Sequence, residues 1–388
     1  MLRKLAAYNF VESSIKWFQS NLGNRSHSVQ VETKQSQYQD LQDHVAPQGS
    51  ILGGLLFLIN ENDFPACRVE GESVLFVDDD TDCVSDSDPG KLIEKIELEA
   101  GRSCDWLKDN RMCVAGDKSK LLIVGTKELR KKKLGDAVQT VLVDNQVVTE
   151  TASEKLLGVM LNNQLTWKEH LSGESWRPAG ENNSGLISQL AQRVGVLKKL
   201  SAVASRKRLR MITSGIFYSK ISYCLPLFIN TWGLDTYKEG LTRTSSFTKE
   251  DLRKLQVLQN KVAKLLIGYR YNKEKKNIST EELLEKSGDL SIHQLGALQT
   301  VIMTKKIVLS QKPTYLATRL QINQDGGPRS TSAINPIKLR LSISRECFVH
   351  RGTRLFNMLP LHMRQEPHIK KFKMMTKKWI KDTIPIKP

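Results

Sequence analysis

Phe76-Val77-Asp78-Asp79 is the stretch on which the fold and its chemistry turn. An apolar run, Val74 to Val77, closes on two adjacent carboxylates, and Cys83-Val84 begins a return. The pattern predicts a β-hairpin with the aspartates at its turn. Neighbouring side chains of a regular strand point to opposite faces, but on a tight turn they can converge on one site. Magnesium suits such a pair, because it takes few protein oxygens, keeps waters and borrows the rest from phosphates. The same dipeptide also occurs as a plain acidic turn, since Asp tolerates turn geometry. A calcium loop starting at Asp78 fails. It needs Gly at its sixth position and Glu at its twelfth, where the chain has Cys83 and Pro89.

Working outward, Ala46-Pro47-Gln48-Gly49-Ser50 opens the most apolar run, Ile51 to Ile59. It reads as a fully buried helix despite Gly53 and Gly54, and it is far too short to span a bilayer. Residues 1–25 read as helical, with Leu2, Leu5, Trp17 and Phe18 as core candidates and Ser13 as N-cap. Ser26 to Glu32 alternates like a strand, and residues 33–45 read as loop. Asp88-Pro89 starts a helix with the stripe Leu92, Ile93, Ile96, Ala100, Cys104 and Leu107. Leu121 to Val124, Leu142 to Val148 and Lys155 to Leu161 are strand-like. The expected fold class is therefore α+β, with one small antiparallel sheet backed by helices.

The polar segment 172–185 reads as a linker. Beyond it the apolar period is helical: Leu186, Ile187, Leu190, Val194 and Leu197 form one stripe. Leu252, Leu255, Leu258, Val262 and Leu265 form another, between a Thr248/Asp251 cap and Gly268. Residues 290–310 give a third helix and 323–340 a loose linker. The tail ends in a helix with Ile369, Phe372, Met375 and Trp379 on one side and lysines on the rest.

Charge divides the chain. Residues 1–160 hold 19 Lys/Arg and 25 Asp/Glu, and the remainder holds 40 and 16. A basic excess this large over the back half points to a partner with phosphates, although a solvated basic surface has the same composition. Arg193, Lys198 and Lys199, then Arg206, Lys207, Arg208 and Arg210, are the candidates for a nucleic-acid backbone, with Tyr218, Tyr223 and Trp232 interleaved. Six cysteines without zinc spacing read as reduced thiols, and no secretory leader is evident. The expected location is intracellular, nucleus and/or cytoplasm, with no membrane partner.

Several of these motifs together resemble the reverse transcriptases of non-LTR (LINE- or jockey-like) retrotransposons. Pro47-Gln48-Gly49-Ser50-Ile51-Leu52-Gly53 is similar to the family's motif B, and Phe76-Val77-Asp78-Asp79 to motif C. Trp106-Leu107, Asn110-Arg111 and Lys118-Ser119-Lys120 resemble the motif D region. Leu156-Leu157-Gly158-Val159, with Leu165-Thr166-Trp167 and His170, looks like the strand near the primer grip. Arg354-Leu355-Phe356-Asn357 with Leu359-Pro360 resembles the family's C-terminal ending.

The resemblance implies an RNA-directed DNA polymerase that uses two Mg²⁺ ions, an RNA template, a DNA primer and deoxynucleotides. It implies a partial palm over 1–171, a linker over 172–185, a helical thumb over 186–322 and a basic C-terminal region over 323–388. Asp78 and Asp79 would bind the metals, and Pro47, Gln48, Gly49 and Phe76 would shape the nucleotide and template site. Lys118 would assist the leaving pyrophosphate, with Lys120 competing for that role. Leu2 to Arg25 resembles sequence that follows motif A, which places the motif A Asp upstream of Met1. Lacking it, the chain is expected to be weak or inactive alone and to need other element-encoded protein parts. The alternative is a non-catalytic RNA- or DNA-binding protein derived from a retrotransposon.

Overall fold

The computed structural model describes residues 1–41, 49–135, 137–173, 185–229, 248–269, 278–322, 333–336, 347–384 and 386. The chain divides into two compact units, Met1–Thr151 and Ala152–Pro388. The described residues are α+β: many helices, and strands paired only two at a time, all antiparallel. The single sheet expected from the sequence is therefore replaced by separate two-stranded ones. The reason is local, since four of the five pairs close through short loops.

In the first unit, α1 (Leu2–Ala7) and α2 (Glu12–Leu22) replace the expected single helical region, with Asn9 at φ 60° between them. Val11, not Ser13, is the N-cap, and Trp17 is exposed while Leu5 is buried. Strands β1 (Arg25–His27), β2 (Gln30–Val31), β3 (Lys34–Gln35) and β4 (Gln39–Leu41) form a two-tier hairpin, β2 with β3 inside β1 with β4. The segment after residue 33 thus contains strands where loop was expected.

Helix α3 (Ile51–Glu61) forms where predicted, with the Ser50 hydroxyl accepting from the Gly53 N–H at 2.9 Å. It is not buried. Only Leu56 is covered, and Ile51, Leu55 and Leu58 leave an exposed stripe, because α3 packs within its unit on one side alone. Strands β5 (Glu72–Phe76) and β6 (Asp79–Cys83) form the carboxylate hairpin. Helix α4 (Pro89–Asp109) starts as read: the Asp88 carboxylate accepts from the Lys91 N–H at 3.0 Å.

Helix α5 (Lys127–Leu134) follows, then β7 (Thr140–Val143) and β8 (Gln146–Thr149). The run 142–148 is thus a hairpin and not one strand, because Asp144 and Asn145 both adopt positive φ, 47° and 62°. Leu121, read as part of a strand, makes only an isolated bridge to Glu150. A small core of Leu121, Ile123, Val141 and Val148 packs against Leu92, Ile93 and Ile96 of α4.

The second unit opens with β9 (Ser153–Leu156) and β10 (Val159–Asn162), again a hairpin within a run read as one strand. Its turn is Leu157-Gly158, at φ 45° and 84°, where glycine accepts a backbone that a side chain would strain. Helices α6 (Lys168–Ser172), α7 (Leu186–Leu200) and α8 (Arg206–Thr213) follow. A π-helical turn (Ser214–Tyr218) then leads into α9 (Ser219–Ser222) and α10 (Leu225–Phe228). Helices α11 (Lys249–Ile267), α12 (Thr280–Ser287), α13 (Ile292–Ser310) and α14 (Thr314–Ala317) come next. They are followed by α15 (Phe348–Met358), α16 (Leu361–Arg364) and α17 (Ile369–Thr383).

Helix α11 carries the expected capping box, Thr248 with Asp251, and Gly268 closes it. One core joins α7, α8, the π-turn, α10 and α11 through Leu190, Leu197, Phe217, Phe228, Leu255 and Val262. A second joins α13, α15 and α17 through Val301, Phe356, Phe372 and Ile380. The linkers read at 172–185 and 323–340 fall largely outside the described residues. No helix of the described residues is long and apolar enough to cross a membrane.

Candidate functional site: a carboxylate hairpin and a basic helical face

Phe76 pairs with Asp79 across the hairpin, so its loop is the two residues Val77 and Asp78. The aspartates are therefore not both on the turn: Asp78 is, whereas Asp79 begins the return strand, earlier than the expected Cys83. Val77 sits at φ 58°, a left-handed conformation costly for a β-branched residue and of a kind that gathers at functional sites. Neither Asp78 nor Asp79 makes a side-chain hydrogen bond or ion pair among the described residues, and both are exposed.

Strand alternation then separates the two. Cross-strand pairs share a face, so Phe76 and Asp79 lie on one side, with Val74 and Thr81. Phe76 is 59% exposed, which makes this the open side. Asp80 and Asp82 lie on the other with Leu75 and Ser73, where Arg68 meets them at 2.5 and 2.7 Å. Arg68 is itself covered, stacked 4.7 Å from the Phe64 ring and donating to the Glu99 carbonyl of α4 at 3.3 Å. Ser73 donates to Asp80 at 2.7 Å.

One guanidinium does not offset two carboxylates and their burial. Burial first, and the neighbouring Asp80 second, push the Asp82 carboxyl up to about 6. Glu61, at the end of α3, is pushed up to about 7 by burial, then by Asp78 and Asp80. The fold thus brings Glu61, Asp78 and Asp80 together and sets Asp79 on the opposite face of β6 from Asp80. Sequence reading missed Glu61 and Arg68. The alternation Asp80-Thr81-Asp82 was the available signal that two acids share a strand face.

Gly49, at φ 78°, is exposed just before the cap of α3, whereas Pro47 and Gln48 lie outside the described residues. Lys118 sits in an exposed turn after α4, its N–H bonded to the Ala115 carbonyl at 2.9 Å, with no ion pair to Asp78 or Asp79. Among the described residues no group of three or more His, Cys, Asp or Glu side chains is arranged to hold a metal ion. Asp78 on the turn and Asp79 on the return strand offer exposed carboxylate oxygens but no closed protein cage for a metal.

The basic candidates separate by environment. Lys198 and Lys199 are exposed at the end of α7, and Arg206, Lys207 and Arg208 are exposed in the first turn of α8. Arg210 is anchored, donating to the Ser287 carbonyl at 2.7 Å and lying 3.6 Å from Asp289. Arg193 donates to the Ile216 carbonyl of the π-turn. Helix α17 buries Phe372, Thr376 and Ile380 and exposes Lys370, Lys373, Lys377, Lys378 and Lys381.

Residues in and beside the quoted motifs serve the fold. The Asn162 amide accepts from the Thr166 N–H at 2.7 Å and donates to Thr166 and Glu169, which shapes the turn into α6. His170 is buried against Phe228, its ring nitrogen accepting from the Met160 N–H at 3.4 Å. Burial, and then Lys220, lower its pKa to about 4. Arg351 donates to the carbonyls of Pro226, Leu227 and Ile229, the open end of α10. Gly352 lets α15 approach α13, since a Cβ there would fall 2.4 Å from the Thr304 hydroxyl. Asn357 bonds both the N–H and the carbonyl of Ile334 at 2.9 Å. Compared with family models, curated proteins and solved structures, the chain matches none.

Proposed function

We propose that this chain is the C-terminal part of an RNA-directed DNA polymerase of the non-LTR retrotransposon type, with weak activity when it acts alone. The observation that carries the reading is the tight hairpin with strained Val77, on which Asp78 and Asp79 have no side-chain donor among the described residues. An exposed carboxylate on a strained turn and a second at the start of the next strand would suit metals shared with substrate. On this reading the first unit is a partial palm and the helices of the second a thumb. Bound magnesium would activate the primer hydroxyl and neutralise phosphate charge. Asp78 would hold it from the turn and Asp79 from the outer face, beside Phe76. Lys118 would stabilise the leaving pyrophosphate.

The test is primer extension on an RNA template with Mg²⁺, beside Asp78→Ala/Asp79→Ala. Faint extension that vanishes in the double variant supports the proposal; equal extension by both proteins sinks it.

A second reading, a non-catalytic nucleic-acid-binding protein, is favoured by one observation. Arg68, just before the hairpin, already pairs with Asp80 and Asp82, so these two acids of β6 are held by the protein itself. Tight template binding with no extension at all would select it.

A further inference from the structure

The π-turn of the second unit has no role in the reading above. A π-turn carries more residues per turn than an α-helix and often marks a functional site. Beside it lies an open cavity of about 700 Å³, lined in part by Arg193, Gly215, Ser219, Lys220 and Tyr223. Its floor is kept low by small residues: Gly215 has open space where a Cβ would be, and the Ser219 hydroxyl turns back to the Gly215 carbonyl.

The rim is cationic. Arg193 uses one N–H on the Ile216 carbonyl, which fixes its guanidinium and leaves its other donors uncommitted among the described residues. Lys220 and Lys155 make no ion pair there either. Burial, followed by Arg193 and Lys155, holds the Lys220 ammonium below its usual pKa. Among the described residues, the fold therefore gathers three cations that make no ion pair.

We propose that this cavity is an anion site that takes one phosphate group of a nucleic-acid strand, held by Arg193 and Lys220. Three clustered cations suit a phosphate better than a single carboxylate. The volume exceeds what a lone phosphate needs and leaves room for the attached sugar. The half-exposed Tyr223 ring, fixed by its hydroxyl's bond to the Leu157 carbonyl, offers a flat wall for it. The strand as the source rests on the nucleic-acid reading above; the phosphate chemistry of the cavity does not.

The test is lysine acylation of the full chain, read by mass spectrometry, with pyrophosphate as free probe and a short single-stranded RNA as strand probe. The expected result is saturable protection of Lys220 by both, with RNA acting at the lower concentration. Arg193→Gln should shift the protecting concentration of either probe up about tenfold, the loss of one charge-assisted hydrogen bond. Lys220→Met, which leaves the bond to Ile216 intact, should weaken RNA binding by a similar factor without changing the helical circular dichroism. Protection by pyrophosphate but not RNA would overturn the strand as source. RNA binding by anisotropy with Lys220 labelled at an unchanged rate would overturn the cavity while sparing the nucleic-acid reading. An unchanged Lys220 rate with both probes would overturn the site.

Discussion

The two units of the chain solve opposite problems. The first has 18 Lys/Arg against 24 Asp/Glu, one small core, and apolar side chains left outside, Ile51 at 98% exposure and Phe76 at 59%. The second has 41 Lys/Arg against 17 Asp/Glu and two large cores, with Phe217 and Phe356 fully covered. The first is built around short hairpins, one of which displays Asp78 at its turn. The second is built around helices whose cores fix a basic surface. The difference lies in what each unit does with its side chains: burial of apolar groups in one, exposure of acidic ones in the other.

The largest expected effects lie in the cores. Phe356→Ala should cost about 3–5 kcal/mol in urea unfolding, whereas Phe76→Ala should stay within about 0.5 kcal/mol. Equal losses would erase the contrast. Arg351→Met should cost roughly 3–4 kcal/mol, because the carbonyls of Pro226, Leu227 and Ile229 lose their donor.

Acidification should then separate the units by sign. The folded pKa of His170 is about 4, below its ordinary 6.5, so the folded state binds fewer protons between those values. The second unit should be fully stable above about 6.5 and lose about 3 kcal/mol as pH falls through 4. In the first unit Glu61 and Asp82 are raised, so in metal-free buffer their contribution is present at low pH and fades as pH rises toward 6–7. Hydrogen exchange along the full chain measures both slopes, and parallel slopes would contradict the assignment. Loss of a helix cap is expected to have the same effect in both units. Asp88→Ala and Thr248→Ala should each cost about 1 kcal/mol, since both caps are local.

What the sequence disclosed follows the same division. Helices α4, α7, α11, α13 and α17 were legible because cap chemistry and a 3.6-residue period are written locally. The hairpin at Leu157-Gly158 was hidden inside an apolar run that read as a single strand, whereas Asp144-Asn145 is a polar turn signal that reading 142–148 as one strand passed over. The exposure of α3 was illegible because an apolar sequence does not say how much of its surface finds a neighbour. At the site, Asp78 and Asp79 stood out as a dipeptide, but the meeting of Glu61 with Asp78 and Asp80, and the covered Arg68, are long-range outcomes. The π-turn over Ser214–Tyr218 has no local signature at all.

On the proposed function, the basic unit would hold nucleic acid while the carboxylates of the hairpin would serve metal and substrate. The most direct test is the salt dependence of RNA-template binding by the full chain, beside Asp78→Ala/Asp79→Ala. The account predicts affinity that falls steeply and linearly in log–log form with salt, and the same slope in the double variant. Weak binding that ignores salt, or binding lost with the two aspartates, would contradict it.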